Sequence, residues 1–326
     1  MCIRDRLKGG KIPVKEIKTV SLIGLGAIGC YMAENLVKAV GYDNFRVIAD
    51  GKRKERIENE GIIINGVLNN FRVVTPEEKT NPADLVIVIT KMMQLESALK
   101  DIKNQIGDNT IIMSLLNGVE SEEIVANVYG EDKMLYTVTR AAVTKVGNVV
   151  TYNPKISCLE FGEKKNEVIS ERVKAISDLF NKSGIKYKIP KDMIRAIWRK
   201  FMCNVSENQS SAILGIPFGA WHSNEHANYV REAAMNEVLE IAQKLGIDLS
   251  INDILDQREV LKKINPNART SLLQDIEAGR KTEVEMFSGT IMNLGSKLGI
   301  STPVNNLFYH MIKTLEDKNE GAFNYS

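Results

Sequence analysis

The segment that decides the fold is Thr19-Val20-Ser21-Leu22-Ile23-Gly24-Leu25-Gly26-Ala27-Ile28-Gly29. Its apolar run predicts a buried strand, and the residues after the glycine loop predict a helix over 27–40. In such a unit the first glycine permits a tight turn, the second lets a pyrophosphate approach, and the third lets the helix pack closely. We therefore expect Gly24, Leu25, Gly26, Ala27, Ile28 and Gly29 to bind a dinucleotide. The alternative is a glycine turn that only joins a strand to a helix.

Strand and helix signals alternate from residue 17 to about residue 190. Apolar runs predict strands at 19–23, 45–49, 84–90 and 110–115, with helical stretches such as 95–106 between them. This alternation predicts an α/β domain with a doubly wound parallel sheet of the Rossmann type. Three closely spaced segments, 135–143, 147–152 and 156–161, are expected as antiparallel additions to the edge of the sheet.

The pattern changes after Pro190, where amphipathic helical segments replace the strands. Helices are predicted at 193–210, 227–245, 251–263, 282–298 and 305–318. We expect a Rossmann domain over 13–190 and an all-helical substrate-binding domain over 191–326. Residues 1–12 are polar and basic without an apolar core, and are expected to be a disordered leader rather than a signal peptide.

Composition excludes several classes of function. The 326 residues are 44% hydrophobic and 26% charged, and the net charge of +2 provides no field for holding nucleic acid or an anionic membrane. No apolar stretch approaches the roughly 20 residues that a membrane span needs. The four cysteines have no spacing typical of a zinc site or a disulfide framework, so a reducing cytoplasm is expected.

Two signals for the nucleotide conflict. Asp50 follows the second predicted strand, where an acidic residue typically holds a ribose 2′-hydroxyl and disfavours a 2′-phosphate. The basic run Lys52-Arg53-Lys54 comes next and is placed to hold that phosphate. The balance favours NADP(H) with Arg53 as the contact, and NAD(H) stays open.

Polar residues in the helical half suggest a ligand site. Lys200, Asn204 and Asn208 recur at every fourth position and are expected on one face of a helix, either as a cleft wall or as a solvated stripe. Ser271 with Gln274 fits a capping box at the start of another helix. Glu283 is expected in the first turn of a helix capped by Thr282, after a turn at Gly279.

Two further candidates follow predicted strands of the first domain. Lys91 comes after the strand at 84–90, and Asn117 after the strand at 110–115. Both are expected at the ligand-facing edge of a parallel sheet. His222 and His226 are four residues apart but lack a third ligand nearby, so no metal site is predicted.

Together these residues resemble the ketopantoate reductase (2-dehydropantoate 2-reductase) family over nearly the whole chain. The resemblance rests on segments 24–29, 90–94, 116–118, 198–208, 271–275, 282–285 and 299–305. It implies a helical domain like the C-terminal domain of 6-phosphogluconate dehydrogenase. It also implies reduction of a 2-oxo acid to a 2-hydroxy acid with NADPH, in pantothenate and coenzyme A synthesis.

The resemblance further implies roles for single residues. Lys200 would be the general acid and Glu283 would bind the substrate hydroxyl. Ser271 would hold the substrate carboxylate, while Asn204 and Asn208 would line the pocket. Asn117 and Lys91 would lie near the nicotinamide.

Departures from the family pattern keep other functions open. The family commonly has a basic residue where Asp50 stands, and residues 265–269 lack its usual asparagine register. The alternatives are a reductase for another 2-oxo acid, a β-hydroxyacid dehydrogenase-like enzyme, and a non-catalytic NAD(P)-binding sensor. A small-molecule 2-oxo acid is the expected partner, and apolar faces of the helical domain would allow a homodimer.

Overall fold

The structure is a computed structural model that describes residues 16–141 and 143–323. The predicted leader at 1–12 lies outside the described residues. In the described part of the chain, no helix is both long and apolar enough to cross a membrane.

The strands follow the predicted alternation with helices through the first half of the chain. In chain order the strands are β1 (Val20–Ile23), β2 (Phe45–Ile48), β3 (Ile62–Ile64), β4 (Val67–Asn69), β5 (Val73–Val74), β6 (Leu85–Val88), β7 (Ile111–Ser114), β8 (Met134–Arg140), β9 (Val143–Val146), β10 (Val149–Tyr152), β11 (Cys158–Gly162) and β12 (Tyr187–Lys188). The helices among them are α1 (Ala27–Val40), α2 (Gly51–Glu60), α3 (Leu95–Asp101), α4 (Ser121–Tyr129) and α5 (Glu171–Ser183).

An eight-stranded sheet with the order β12-β11-β8-β7-β6-β1-β2-β5 forms the centre of this half. Strands β1, β6 and β7 are parallel and buried along their whole length. One apolar cluster joins the sheet to α1 and α5, and another joins it to α3 and α4. Because both faces are covered, the central strands read as continuous apolar runs. The predicted doubly wound α/β fold is confirmed.

The expected antiparallel additions at the sheet edge are partly wrong. Strand β8 pairs parallel with β7, and β11 pairs antiparallel with β8. Strands β9 and β10 instead join β3 and β4 in a separate four-stranded sheet, in which β10 pairs parallel with β3. This sheet buries one face, including Ile62, Ile64 and Val150, in the same apolar cluster as α1. Strand β10 keeps its near partner β9, with which it pairs antiparallel, and its other partner is the distant strand β3.

Eight helices make up most of the rest of the described chain. They are α6 (Met193–Cys203), α7 (Gln209–Leu214), α8 (Ala220–Ser223), α9 (Glu225–Lys244), α10 (Ile251–Leu261), α11 (Ser271–Glu277), α12 (Thr290–Leu298) and α13 (Pro303–Asn319). Two of the predicted helices contain a π-helical turn that sequence periodicity did not indicate. Asn204–Asn208 separates α6 from α7, and Glu285–Gly289 precedes α12.

The described residues divide into two compact units. The first holds both sheets and ends at Met193, except that Asn117–Val119 cluster with the second unit. The second holds those three residues and the chain from Ile194 onward. The domain limits 13–190 and 191–326 stay a proposal.

Candidate active site

The three glycines of the loop after β1 have different surroundings. Gly24 has a φ of +101°, and a Cβ there would lie 2.0 Å from the carbonyl oxygen of Ile89. A Cβ on Gly29 would lie 2.0 Å from the carbonyl oxygen of Gly24. A Cβ on Gly26 would meet nothing within 4 Å. Two glycines are therefore required by packing, whereas Gly26 borders open space into which a ligand can approach.

The start of α1 suits an anion. Among the described residues no side chain caps this helix, and its first turn contains no acidic residue. The N–H groups of a first turn lack intrahelical acceptors, and the helix dipole adds positive potential there. The Lys145 ammonium donates to the carbonyl of Leu25 at 2.7 Å and adds a cation beside the loop. Open space at Gly26 and a positive helix end fit the pyrophosphate of a dinucleotide.

The nucleotide-discriminating residues lie at the end of β2. Asp50 precedes α2 as its N-cap residue, and Arg53 is in the first turn of α2; both are exposed. Burial raises the pKa of Asp101, at the end of α3. The negative charges of Asp50 and Glu77 raise it further, while Arg53 opposes them. Asp50 and Arg53 thus act on the same region of the surface, where α2 also carries Lys52 and Lys54.

Lys91 also lies in the first unit. It is exposed and directly precedes a 3-10 turn, Met92–Gln94, that follows β6. Its position after a parallel strand agrees with the predicted ligand-facing edge. Its contact with a nicotinamide stays a proposal.

In the second unit, one amide links the two predicted catalytic groups. The Lys200 ammonium donates to Asn117 Oδ1 at 2.8 Å, and Asn117 Nδ2 lies 3.5 Å from Glu283 Oε2. All three side chains are partly buried. Since the oxygen of the amide faces the cation and its nitrogen faces the carboxylate, the orientation of Asn117 satisfies both charges. Sequence reasoning placed these residues in one site, but it did not predict their direct contact.

The polar stripe after Lys200 depends on the π-helical turn. In an uninterrupted α-helix, residues eight apart lie about 80° apart around the axis, because each residue turns about 100°. An i→i+5 turn takes up one extra residue, so Asn208 returns to within about 20° of Lys200. Asn204 is partly buried and Asn208 is 9% exposed. The shared face stays a prediction, and the continuous helix assumed for it is wrong.

The predicted capping box at Ser271 is wrong. Thr270 is the N-cap of α11, and its hydroxyl accepts the N–H of Leu273. Ser271 is the first helical residue and its side chain is exposed. Its hydroxyl is therefore not used as the cap and stays available to a ligand carboxylate.

Glu283 was expected in the first turn of a helix. It lies instead before the π-helical turn. Its carbonyl accepts the N–H of Phe287 at 3.1 Å. The neighbouring Thr282 is held by the buried carboxylate of Glu316, which accepts both its N–H and its hydroxyl at 2.7 Å. Sequence reasoning missed Glu316, because nothing local marks a contact between residues so far apart in the chain.

Metal ligands were not predicted, and His222 and His226 do not form a site with other groups. In residues 16–141 and 143–323, no cluster of three or more His, Cys, Asp or Glu side chains is arranged to hold a metal ion.

Comparison with known proteins agrees with this geometry. Residues 20–166 match the family model described as "Ketopantoate reductase PanE/ApbA", and residues 192–316 match "Ketopantoate reductase PanE/ApbA C terminal". The chain belongs to the ketopantoate reductase family. It is therefore an NAD(P)H-dependent oxidoreductase of the kind that acts on CH–OH groups.

Ketopantoate reductases from distant organisms align along almost all of the chain. The 2-dehydropantoate 2-reductase of Pyrococcus horikoshii is 28% identical over 308 residues, which cover 93% of this chain and 99% of that protein.

Two solved structures share the fold. A complex of D-mandelate dehydrogenase with NADH and anilino(oxo)acetate has a TM-score of 0.83 at 24% identity, covering 93% of this chain and 99% of that one. A dimeric ketopantoate reductase from Staphylococcus aureus has a TM-score of 0.74 at 19% identity, covering 92% and 99%.

Proposed function

We propose that this chain reduces ketopantoate (2-dehydropantoate) to pantoate with NADPH, for pantothenate and coenzyme A synthesis. The observation that carries the proposal is the Lys200–Asn117–Glu283 chain of polar contacts. A cationic donor and a carboxylate joined through one amide suit reduction of a carbonyl in a substrate that also carries a hydroxyl. The bound nicotinamide would supply the hydride, as its own chemistry does in such enzymes.

Lys200 is the proposed general acid. Its ammonium has three N–H donors, one of which is directed to Asn117. In the proposed reaction the ammonium gives a proton to the substrate carbonyl oxygen as negative charge develops there. A charged donor held in place before the reaction also stabilises the developing alkoxide.

The other polar residues are proposed to hold the substrate. Glu283 would accept a hydrogen bond from the hydroxyl that marks ketopantoate among 2-oxo acids. Ser271 would bind the carboxylate, and Asn204 and Asn208 would line the pocket. Asn117 would keep the ammonium of Lys200 in place, a role that its 2.8 Å contact supports.

The cofactor is proposed to lie on the glycine loop, with Gly24, Leu25, Gly26, Ala27, Ile28 and Gly29 around the pyrophosphate and Lys91 toward the nicotinamide. NADP(H) is favoured because Arg53 can pair with a 2′-phosphate. NAD(H) is the second candidate, because Asp50 and Asp101 place negative charge in the same region. The D-mandelate dehydrogenase of the same fold is also bound to NADH.

Replacing Arg53 separates the two cofactors. If Arg53 contacts the 2′-phosphate, Arg53→Ala should raise the Kd of NADPH about 10- to 100-fold, the equivalent of a charged hydrogen bond, and leave that of NADH unchanged. Fluorescence titration measures both. Lys174→Ala, an exposed lysine on α5, is the control and should change neither. An equal rise in the Kd of NADPH and of NADH would show that Arg53 does not recognise the 2′-phosphate.

A second candidate function keeps the chemistry and changes the acid. The fold shared with D-mandelate dehydrogenase, together with the divergent segment 265–269, favours another 2-oxo acid as substrate. NADPH and NADH oxidation with ketopantoate and a panel of branched and aromatic 2-oxo acids tests both candidates. Fast turnover of ketopantoate supports the proposal. Turnover of another acid but not of ketopantoate supports the second candidate. Tight nucleotide binding without turnover of any acid supports a sensor.

A further inference from the structure

The two π-helical turns of the second unit adjoin the proposed catalytic residues. Asn204–Asn208 follows α6, which carries Lys200, and Glu285–Gly289 begins two residues after Glu283. Such turns are rare in proteins, and those that occur are frequently found at functional sites. Each interrupts the regular α-helical hydrogen-bonding pattern, so their presence beside both residues needs a physical cause.

A single buried side chain connects the two turns. The hydroxyl of Ser288, inside the second turn, donates to Gln209 Oε1 at 2.7 Å. Gln209 Nε2 donates to the backbone carbonyl of Val205, inside the first turn, at 2.6 Å. Gln209 and Ser288 are both fully buried, with exposures of 0%. Because a buried polar group without a partner costs free energy, neither hydrogen bond is easily broken. A shift of one turn would break one of the two bonds, so the position of each turn constrains that of the other.

Gln209 replaces a backbone hydrogen bond with its own side chain. In an α-helix the carbonyl of Val205 would accept the backbone N–H of Gln209, four residues later. Here the backbone N–H of Gln209 donates to the carbonyl of Ser206, and the Gln209 side-chain amide donates to the carbonyl of Val205. The side chain thus stabilises the turn that brings Asn208 round toward Lys200.

On its other side, the second π-helical turn contacts α13. Ser288 Oγ also lies 3.3 Å from Asn305 Oδ1, but its one hydrogen is directed to the nearer acceptor, Gln209 Oε1. Asn305 itself is held by Glu237, to which its Nδ2 donates at 2.7 Å. Glu237 also accepts the N–H groups of Val304 and Asn305 at the start of α13. Ser288 therefore packs against a residue of α13 that is itself held to α9.

We propose that Gln209 and Ser288 are positioning residues that hold the two π-helical turns in register, and with them the Lys200 stripe and Glu283. The inference rests on the proposed function of those residues. Neither side chain needs to touch the substrate. Their effect is on the distance and direction between the cationic donor and the carboxylate, to which the rate is sensitive.

Ser288→Ala is the test, because it removes one hydroxyl from the bridge and leaves the backbone intact. The matched control is Ser177→Ala, a buried serine of the first unit that bonds only to the Val173 carbonyl of its own helix. For the acid that the wild type reduces, Ser288→Ala should lower kcat about tenfold or more, as displacement of reacting groups does. The KM for the nucleotide should stay unchanged, and Ser177→Ala should keep wild-type kcat.

A double-mutant cycle separates positioning from general loss of stability. In a Lys200→Ala background, Ser288→Ala should cause little further loss of kcat, because the two changes act through one group. Full, additive losses in both backgrounds would overturn the proposal. Wild-type kcat in Ser288→Ala would overturn it as well.

Hydrogen exchange makes the result independent of the substrate. If the wild type reduces none of the acids, the proposed function fails, but the bridge can still be tested. Ser288→Ala should then speed amide exchange in residues 204–208, in the turn that it does not belong to. Faster exchange confined to residues 285–289 would overturn the coupling of the two turns.

Discussion

At the scale of single residues, Asn117 determines how charge is arranged in the proposed site. Its oxygen accepts from Lys200 and its nitrogen faces Glu283, so one amide contacts both the cation and the anion. The 2.8 Å contact with Asn117 fixes the direction of one N–H of the ammonium, which supports a fixed position for the proposed general acid.

Lys200→Ala tests the proposed acid. Loss of a general acid should lower kcat on the order of 10²-fold or more, with nearly unchanged affinity for the nucleotide. Steady-state kinetics and a binding titration measure the two quantities. Lys297→Ala, an exposed lysine on α12, should keep wild-type activity. Activity within a few-fold of wild type in Lys200→Ala would show that another group protonates the product.

The candidate residues were found from the sequence because their types and order are distinctive. The contacts between them could not be predicted from the sequence. The 2.8 Å bond between Lys200 and Asn117 joins residues 83 positions apart, and periodicity carries no information at that range. The same limit hid Glu316, whose carboxylate holds Thr282 beside Glu283.

At the scale of elements, different glycines of the loop after β1 are required for packing and for nucleotide binding. Gly26→Ala adds a Cβ that meets nothing within 4 Å, so the free energy of unfolding should change by less than about 1 kcal/mol. The methyl group should occupy the ligand's approach and raise the Kd of the nucleotide at least about tenfold, which is about 1.4 kcal/mol.

Gly29→Ala is the opposite case in the same loop. Its Cβ would lie 2.0 Å from the carbonyl of Gly24, and the forced backbone shift should cost about 1–3 kcal/mol of stability. Chemical denaturation and fluorescence titration compare the two variants. Equal nucleotide affinity in Gly26→Ala and the wild type would contradict a pyrophosphate at this position.

The contact between Glu316 of α13 and Thr282 predicts a dependence of stability on pH. Burial alone would raise the pKa of Glu316, but hydrogen bonds from Thr282 and the charge of Lys313 more than offset it and hold the pKa below the ordinary value of 4.5. A lowered carboxyl pKa stabilises the fold above the unfolded value, and that stability is lost as the pH falls.

Glu316→Gln should therefore lower the free energy of unfolding by about 1–3 kcal/mol at pH 7. The difference from wild type should shrink as the pH falls below about 4.5. Denaturation at several pH values measures this. Glu320→Gln, an exposed carboxylate paired with Lys281, should stay within about 0.5 kcal/mol of wild type. A pH-independent difference for Glu316→Gln would point to packing instead of charge.

Elements were predictable where local pattern decides them. The helix predicted at 27–40 is α1 without change, because apolar periodicity and a flanking glycine mark both ends. Strands β9 and β10 were assigned to the wrong sheet because their partner β3 is distant in the sequence. The π-helical turns were missed because they depend on Gln209 and Ser288, which meet only in the folded chain.

At the scale of the whole molecule, the predicted homodimer can be tested directly. A dimeric ketopantoate reductase shares the fold, and the second unit exposes large apolar side chains, including Tyr229, Leu255 and Leu307. Burial of such residues favours association. Light scattering should give a mass of two chains across a dilution series. A mass of one chain at every concentration would rule out a stable dimer. The cytoplasmic location stays a prediction.

The residue that joins Lys200 to Glu283 is also the chemically least durable part of the proposed site. Asn117 is followed by Gly118, which has a φ of +100° and no Cβ to shield its backbone nitrogen from the asparagine amide. Asparagine is a thermolabile residue, and deamidation would turn this one into aspartate. The product would lose the nitrogen that faces Glu283 and place a new negative charge beside the ammonium. Ageing of the purified enzyme would thus begin as a chemical change at its centre, while the fold around it stays intact.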